Sequence, residues 1–369
     1  MVSRRQFLIS AASIASGLTA LQSCSNGIGS DAGYAEATRL LWRRTEGNVG
    51  DGATLMRELV RYATLAPSSH NTQCWKFGIE ANAISILPDL SRRCPAVDPD
   101  DHHLFVSLGC AVENLVQAAL ANGLNGELRF DAAADGVLRV ALKPTKAVAS
   151  QLFDAIPKRQ STRAEFDGKP LSSEELKKLE LAGNSSGVRV LFLTDRTAME
   201  RVLEQVVQAN TAQMNDAAFI AELKAWIRFS DDEAVRTGDG LFCRSTGNPT
   251  VPRWLGSPLF SLFFRAKSEN DKYAKYIRSS AGIAVLTSET NNKVHWIEAG
   301  RSYERFALQA TAMGIRTALL NQPVEVSALR PQFASSLGIG DRRPDLVVRF
   351  GRGPEMPRSL RRPVQAVLA

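Results

Sequence analysis

Two stretches of this 369-residue chain read as the same helix. Gly109-Cys110-Ala111-Val112-Glu113-Asn114-Leu115-Val116-Gln117-Ala118-Ala119-Leu120-Ala121-Asn122-Gly123-Leu124 has apolar residues at helical spacing and a terminal glycine cap. The stretch Gly300 to Ile315 aligns with it without a gap, setting Gly109 on Gly300, Glu113 on Glu304, Ala119 on Ala310 and Gly123 on Gly314. A short apolar strand follows each, Glu127 to Phe130 and Arg316 to Leu320. Small-residue amphipathic helices with glycine caps are common, so one matching pair alone would prove little. The shared order of helix and strand points to internal duplication.

A content of 44% hydrophobic and 22% charged residues suits a globular chain with a large core, and the length suggests about two domains. The net charge is +7, but no dense Lys/Arg block is interleaved with aromatics, so no nucleic-acid partner is expected. Five cysteines, at 24, 74, 94, 110 and 243, lack C-x-x-C spacing, which argues against structural zinc. His102 and His103 are adjacent, and adjacent side chains on a regular element point apart, so no metal is expected there. Asp98, Asp100 and Asp101 precede them as helix-capping residues rather than as a calcium loop.

The chain opens with Arg4-Arg5 and an uncharged run from Ile9 to Leu21, the pattern of a twin-arginine export signal. The run is too short for a comfortable membrane span, which needs about 20 residues. Leu21-Gln22-Ser23-Cys24 stands where a lipobox would stand. Read that way, Cys24 is the lipidated first residue of a periplasmic, lipid-anchored protein; otherwise cleavage nearby leaves a soluble one.

Three segments carry candidate chemistry. In Ala66-Pro67-Ser68-Ser69-His70-Asn71-Thr72-Gln73-Cys74-Trp75-Lys76-Phe77 a proline stops a helix ending near Leu65, and a loop of hydroxyls and amides leads into a strand at Trp75. Such groups offer donors and acceptors without charge. Arg159-Gln160-Ser161-Thr162-Arg163 offers two guanidinium forks and a hydroxyl, suited to phosphate. Pro357-Arg358-Ser359-Leu360-Arg361-Arg362-Pro363 adds Arg361 and Arg362.

These residues resemble the nitroreductase family of FMN proteins, and within it the Acg-like branch, over most of residues 55 to 365. The loop matches Pro-Ser-x-x-Asn-x-Gln-Pro-Trp, with Cys74 in place of proline, and the arginine segments match the family's phosphate grip and closing segment. The resemblance implies an α+β fold: two fused copies, each a mainly antiparallel sheet flanked by helices, forming an intramolecular pseudo-dimer. The expected order is a signal peptide at 1–23, a linker at 24–54, a first copy at 55–148, and a second at 149–369 with an insert at about 231–268.

In family homodimers one subunit supplies the loop and the other the phosphate grip. Here each copy keeps one part, which implies one complete FMN site per chain and a degenerate second. The expected FMN-binding residues are Pro67, Ser68, Ser69, Asn71, Gln73, Trp75, Arg159, Gln160, Ser161, Arg163, Arg361 and Arg362. Asn321 and Gln322 join them, in a loop the family places beside the flavin N5 edge.

The implied function is FMN-dependent electron transfer to a small flat acceptor such as a nitro-aromatic or quinone, fed by NAD(P)H or by a membrane electron donor, in a monomeric chain. The alternative is an exported flavin-binding protein for FMN storage, sequestration or sensing. No side chain is singled out as catalytic. Thr197 to Ala225 reads as amphipathic helix. From Asp231 to Ser268 glycines and prolines break the pattern among Phe242, Trp254, Phe260, Phe263 and Phe264, which reads as an apolar lid or partner surface, or equally as packing against the second copy.

Overall fold

The computed structural model describes residues 31–45, 52–132 and 136–369. The twin-arginine segment and Cys24 lie outside the described residues. After α1 (Asp31–Leu41) and α2 (Gly52–Thr64), the first copy runs β1 (Trp75–Ile79), β2 (Ala83–Pro88), α3 (His102–Ala121), β3 (Leu124–Asp131) and β4 (Val137–Pro144). Its sheet is antiparallel, in the order β1-β2-β4-β3.

The second copy begins with α4 (Ser173–Gly183) and β5 (Val188–Leu193). A long excursion follows: α5 (Arg196–Met214), α6 (Ala217–Trp226), β6 (Ile227–Arg228), α7 (Asp231–Thr237), β7 (Leu241–Phe242), α8 (Arg253–Phe263) and α9 (Ala266–Arg278). It closes with β8 (Gly282–Ser288), α10 (Lys293–Ala312), β9 (Arg316–Leu319), α11 (Arg330–Leu337) and β10 (Arg343–Gly351). The second sheet is ordered β5-β8-β10-β9, again antiparallel. Taken in chain order within each copy, both sheets follow the pattern first, second, fourth, third, and each core helix joins the second strand to the third. The expected pair of fused copies is what forms.

The insert is wider than the 231–268 stretch. It fills the whole connection between β5 and β8, where the first copy has a tight hairpin between β1 and β2. The single helix expected over Thr197 to Ala225 is two, because Asp216 turns its carboxylate to the Ala218 N–H and caps a new helix. The broken pattern beyond Asp231 hides further helices, one of which tolerates Pro258. The core helices start seven residues before the sequence pattern suggested, at His102 and Lys293. Each is 20 residues long, and their starts (102 and 293) and ends (121 and 312) are both 191 positions apart.

These helices meet backbone to backbone. A Cβ on Gly109 would stand 2.1 Å from the Ile297 carbonyl oxygen, and one on Gly300 would stand 2.0 Å from that of Val106. Ile297 lies 191 residues after Val106, as Gly300 does after Gly109, so the two contacts are exchanged by a local twofold. The helix α3 has the length and mean hydropathy (1.6) of a membrane span, yet 78% of that window is buried within the protein. One apolar cluster runs through both copies, from Leu59 and Trp75 through Leu108 and Val112 to Phe306 and Phe350. The chain end ties the copies again: Leu368 bridges Phe77, and the Ala369 N–H donates to the Phe77 carbonyl at 2.9 Å.

The crossing sets an expectation for stability. Gly109→Ala or Gly300→Ala forces the helices apart and should lower the melting temperature by roughly 1–4 °C, an overpacking cost spread over a chain of this size. Gly52→Ala, with nothing within 4 Å of its Cβ, should leave it unmoved. Thermal unfolding followed by circular dichroism checks both.

Candidate functional site

The loop after α2 is strained. His70 (φ 48°), Asn71 (54°) and Gln73 (54°) adopt left-handed backbone, and Asp101 is the only other described non-glycine residue to do so. Such residues cost on the order of 1–3 kcal/mol each and persist only where their surroundings hold them. Here the surroundings do. The Asn71 amide donates to the carbonyls of Gly240 and Leu360, both at 3.1 Å, and the Gln73 amide donates to Gly238 at 2.8 Å. The Arg362 N–H donates to Gln73 Oε1 at 2.8 Å, and its guanidinium to the Gln73 and Trp75 carbonyls.

Loop and arginines therefore converge, most of them on each other. Arg361 donates to the carbonyls of Thr64, Leu65 and Ala66 at 2.8, 3.2 and 3.1 Å, and Arg159 donates to that of Leu65 at 2.9 Å. These oxygens end α2, where a helix leaves carbonyls without partners and gathers negative charge. Burial, aggravated by nearby Arg159, pulls the Arg361 guanidinium down to about 9. Both side chains bond the helix end, and neither lines the cavity described below. Gln160 is likewise spent on the Met356 backbone, which it contacts as donor and acceptor. Ser161 joins the backbone of Thr317 as an isolated bridge, and Trp75 is a fully buried core residue.

What remains faces a cavity of about 550 Å3, within the usual range for a small-ligand site. Pro67, Ser68 and Ser69 line it from the first copy; Arg163, Asn321 and Gln322 line it from the second. Asn321 is held by accepting the Val347 N–H at 3.0 Å, while Gln322 Oε1 is buried without a hydrogen-bond partner among the described residues. The Arg163 guanidinium has no carboxylate or carbonyl partner among the described residues. Burial pulls its pKa down, and Tyr273, Tyr303 and Tyr276 oppose that shift.

The sequence reading missed His70, His103, Tyr303 and Arg349, which also line the cavity. His70 stood inside the motif, and Arg349 stood out as a charge in the apolar run from Leu346 to Phe350; both were available as signals. Arg349 is anchored on the carbonyls of Thr162 and Ala164 at 2.9 and 2.8 Å, and burial takes it down to about 10. The insert supplies Phe229, Phe260, Phe263 and Phe264 to the same walls, and its Met199, Val206 and Ile277 pack against the second sheet.

The twofold explains why the mirrored position differs. Ser107 and Cys110 of α3 line the cavity; their counterparts on α10 are Glu298 and Arg301, which pair with each other at 3.2 Å. Arg301 and Arg305 also reach Glu113, at 3.2 and 2.9 Å. A charge network occupies the place where a second polar cavity would lie. Its counterpart, Glu304, sits 3.1 Å from Arg159 Nε, an ion pair by distance without hydrogen-bond alignment. Burial pushes the Glu304 carboxyl up to about 7 against the pull of Arg159.

His102 and His103 do not diverge as the sequence argument had them. Their rings lie 4.6 Å apart and both reach Asp345 of β10, His102 through the carboxylate at 3.0 Å and His103 through the backbone carbonyl at 3.3 Å. Asp98 completes a cluster whose ligand atoms lie within 4.8 Å, but its two oxygens accept the N–H groups of His103 and Leu104. That is the expected helix cap, and it makes the cluster a hydrogen-bonded network around the start of α3.

Burial, then the charge of Arg163 and of His103, lowers the His70 imidazole from 6.5 to about 4. A lowered folded value means that the unfolded chain takes up the proton first. The stability contributed by His70 is complete above pH 6.5 and is lost as pH falls toward 4. His70→Asn should flatten that part of the stability curve, and urea unfolding of both proteins between these limits measures the difference.

No family model matches the chain. A candidate NAD(P)H nitroreductase of Mycobacterium tuberculosis H37Rv, Rv3131, is 24% identical over 313 residues, covering 82% of this chain and 86% of that one. The candidate NAD(P)H nitroreductase acg of the same organism is 22% identical over 324 residues, covering 85% and 95%. Among solved structures, an FMN-bound nitroreductase from Bacteroides fragilis is similar with a TM-score of 0.34 and 16% identity, over 56% of this chain and 89% of that one. The FMN-dependent nitroreductase NfnB of Mycobacterium smegmatis, in complex with NADPH, gives 0.36 and 16% over 55% and 87%. Both structural likenesses are slight. The chain is similar to these Acg-like candidate nitroreductases along more than four-fifths of its length.

Proposed function

We propose that the cavity holds one FMN and that the protein passes electrons through it from a reduced donor to a small flat acceptor such as a nitro-aromatic or quinone. The observation that carries this reading is Arg163: a half-buried guanidinium without a counter-ion among the described residues, in the same cavity as a loop of neutral hydroxyls. An anionic ligand with an uncharged polar edge would satisfy both. Arg163 would hold the phosphate as a charged fork. Ser68, Ser69, Asn321 and Gln322 would pair with the carbonyls and nitrogens of the ring edge, and the orphaned Gln322 Oε1 would accept a ring N–H.

When bound, FMN supplies the two-electron chemistry, and the chain positions it and biases its charge. His70, neutral above about pH 4, adds a hydrogen-bonding group without adding charge. The phenylalanines of the insert keep water from the walls, and Arg349 holds its place by bonds to backbone rather than to a ligand. The two mycobacterial relatives, candidate NAD(P)H nitroreductases by name, make NAD(P)H the first donor to try. The export reading of Arg4-Arg5 belongs to this proposal too, and cell fractionation tests it; in a periplasmic protein a membrane donor would take the place of NAD(P)H.

Purified protein should carry one FMN per chain by absorbance. Arg163→Ala should weaken FMN binding by about tenfold to a hundredfold, the worth of a charge-assisted contact. Two flavins per chain, or unchanged affinity in the variant, would overturn the single-site reading. Anaerobic stopped-flow mixing with NADH and NADPH tests turnover: rapid bleaching supports the reductase, and persistent yellow colour with both supports a flavin-binding protein or another donor.

A further inference from the structure

The helix α8 (Arg253–Phe263) keeps its largest apolar side chains outside. Trp254 is 77% exposed, Phe263 67%, Leu262 57% and Leu259 36%. Trp254, Pro258 and Leu262 are four residues apart, and Leu259 and Phe263 form the adjoining row, so these residues make one continuous face. The opposite face is seated: a Cβ on Gly256 would stand 2.5 Å from the Phe229 ring, and Phe260 stacks on Phe264 with centroids 4.4 Å apart. The helix is thus fixed in place with its apolar side turned out.

The segment that carries the face is one-sided in charge. From Gly240 to Ser268 the chain has no carboxylate and four cations, Arg244, Arg253, Arg265 and Lys267. Arg244, Arg253 and Lys267 pair with acids from neighbouring elements, namely Asp31 and Asp231, Glu233, and Asp271. Arg265 has no acidic partner among the described residues, and Lys224, which donates to Ser261 of α8 at 3.0 Å, has none either. An aromatic and aliphatic face bordered by such cations has the composition of a helix lying in a membrane interface. The face is also continuous with the cavity, because Leu259 and Phe263 belong to both.

We propose that the outer face of α8 docks on an anionic lipid bilayer, with the cavity opening beside the docked surface. Trp254 and Leu262 enter the interface, Arg265 and Lys224 meet lipid phosphates, and molecules dissolved in the bilayer reach the cavity past Leu259 and Phe263. The acceptor class this favours, a flat head on an apolar body, rests on the flavin reading; the docking itself does not.

The full chain is mixed with phosphatidylcholine vesicles made with and without phosphatidylglycerol, and binding is read by co-sedimentation. Trp254 insertion is read from quenching by lipids brominated in their acyl chains. Expected are binding that requires phosphatidylglycerol, and quenching that Trp254→Phe largely removes while binding persists. The pair Trp254→Glu and Leu262→Glu, at positions that do not line the cavity, should weaken binding on the order of tenfold or more. Flavin content and melting temperature of that variant should stay unchanged. Equal vesicle binding by the double variant overturns the proposal, as does Trp254 left unquenched on bound protein. A dimer of this chain that the double variant dissociates overturns it too. Loss of flavin in Arg163→Ala with vesicle binding intact separates the two readings.

Discussion

Everything in this molecule is arranged around the place where two glycines let two helices touch. Because neither Gly109 nor Gly300 carries a Cβ, α3 and α10 approach until each meets the other's backbone, and the contact repeats itself across a local twofold. Side chains of any size there would separate the helices. With the crossing fixed, each copy's sheet and helices are placed relative to the other's, and the apolar core runs through both without interruption. The cavity lies where the copies meet, lined by the start of α3 on one side and by β9, β10 and the turn after β9 on the other.

A second constraint is the end of α2. Its last carbonyls are buried, and buried carbonyls need donors. Arg361 and Arg159 supply them, from segments 296 and 94 residues away from Leu65 in the sequence. These bonds draw the chain end and the start of the second copy onto the strained loop, which Asn71, Gln73 and Arg362 then lock. The motif residues thus divide by role. Some build the loop, and a smaller set, headed by Arg163, Ser68 and Ser69, is left facing the cavity.

The fused architecture also frees the copies to diverge. The polar wall offered by Ser107 and Cys110 on α3 is replaced on α10 by Glu298 and Arg301, whose mutual attraction and pairing to Glu113 and Arg305 seal the mirrored position. A homodimer could not do this, since both helices would carry the same residues. The insert is a further asymmetry: it grew from a single strand connection in the second copy and roofs one cavity with phenylalanines.

Much of this was legible in the residues. The duplicated helix, the proline-stopped loop and the arginine segments were local patterns, and the repeat of helix and strand carried the pseudo-dimer because equal sequences take equal folds. The glycine pair was visible too, though not that it marks the crossing. What the chain alone did not reveal is which polar groups are spent. Arg159 and Arg163 look equivalent in sequence, yet one lies against a helix end and the other against open space, a difference set by elements far away along the chain. His102 and His103, judged by the geometry of one helix, seemed to part; Asp345, 242 residues beyond His103, brings both rings to one strand. Pattern and propensity are properties of neighbours in the chain and can be read there, whereas a buried donor's partner is chosen by packing, and only the tertiary structure decides it.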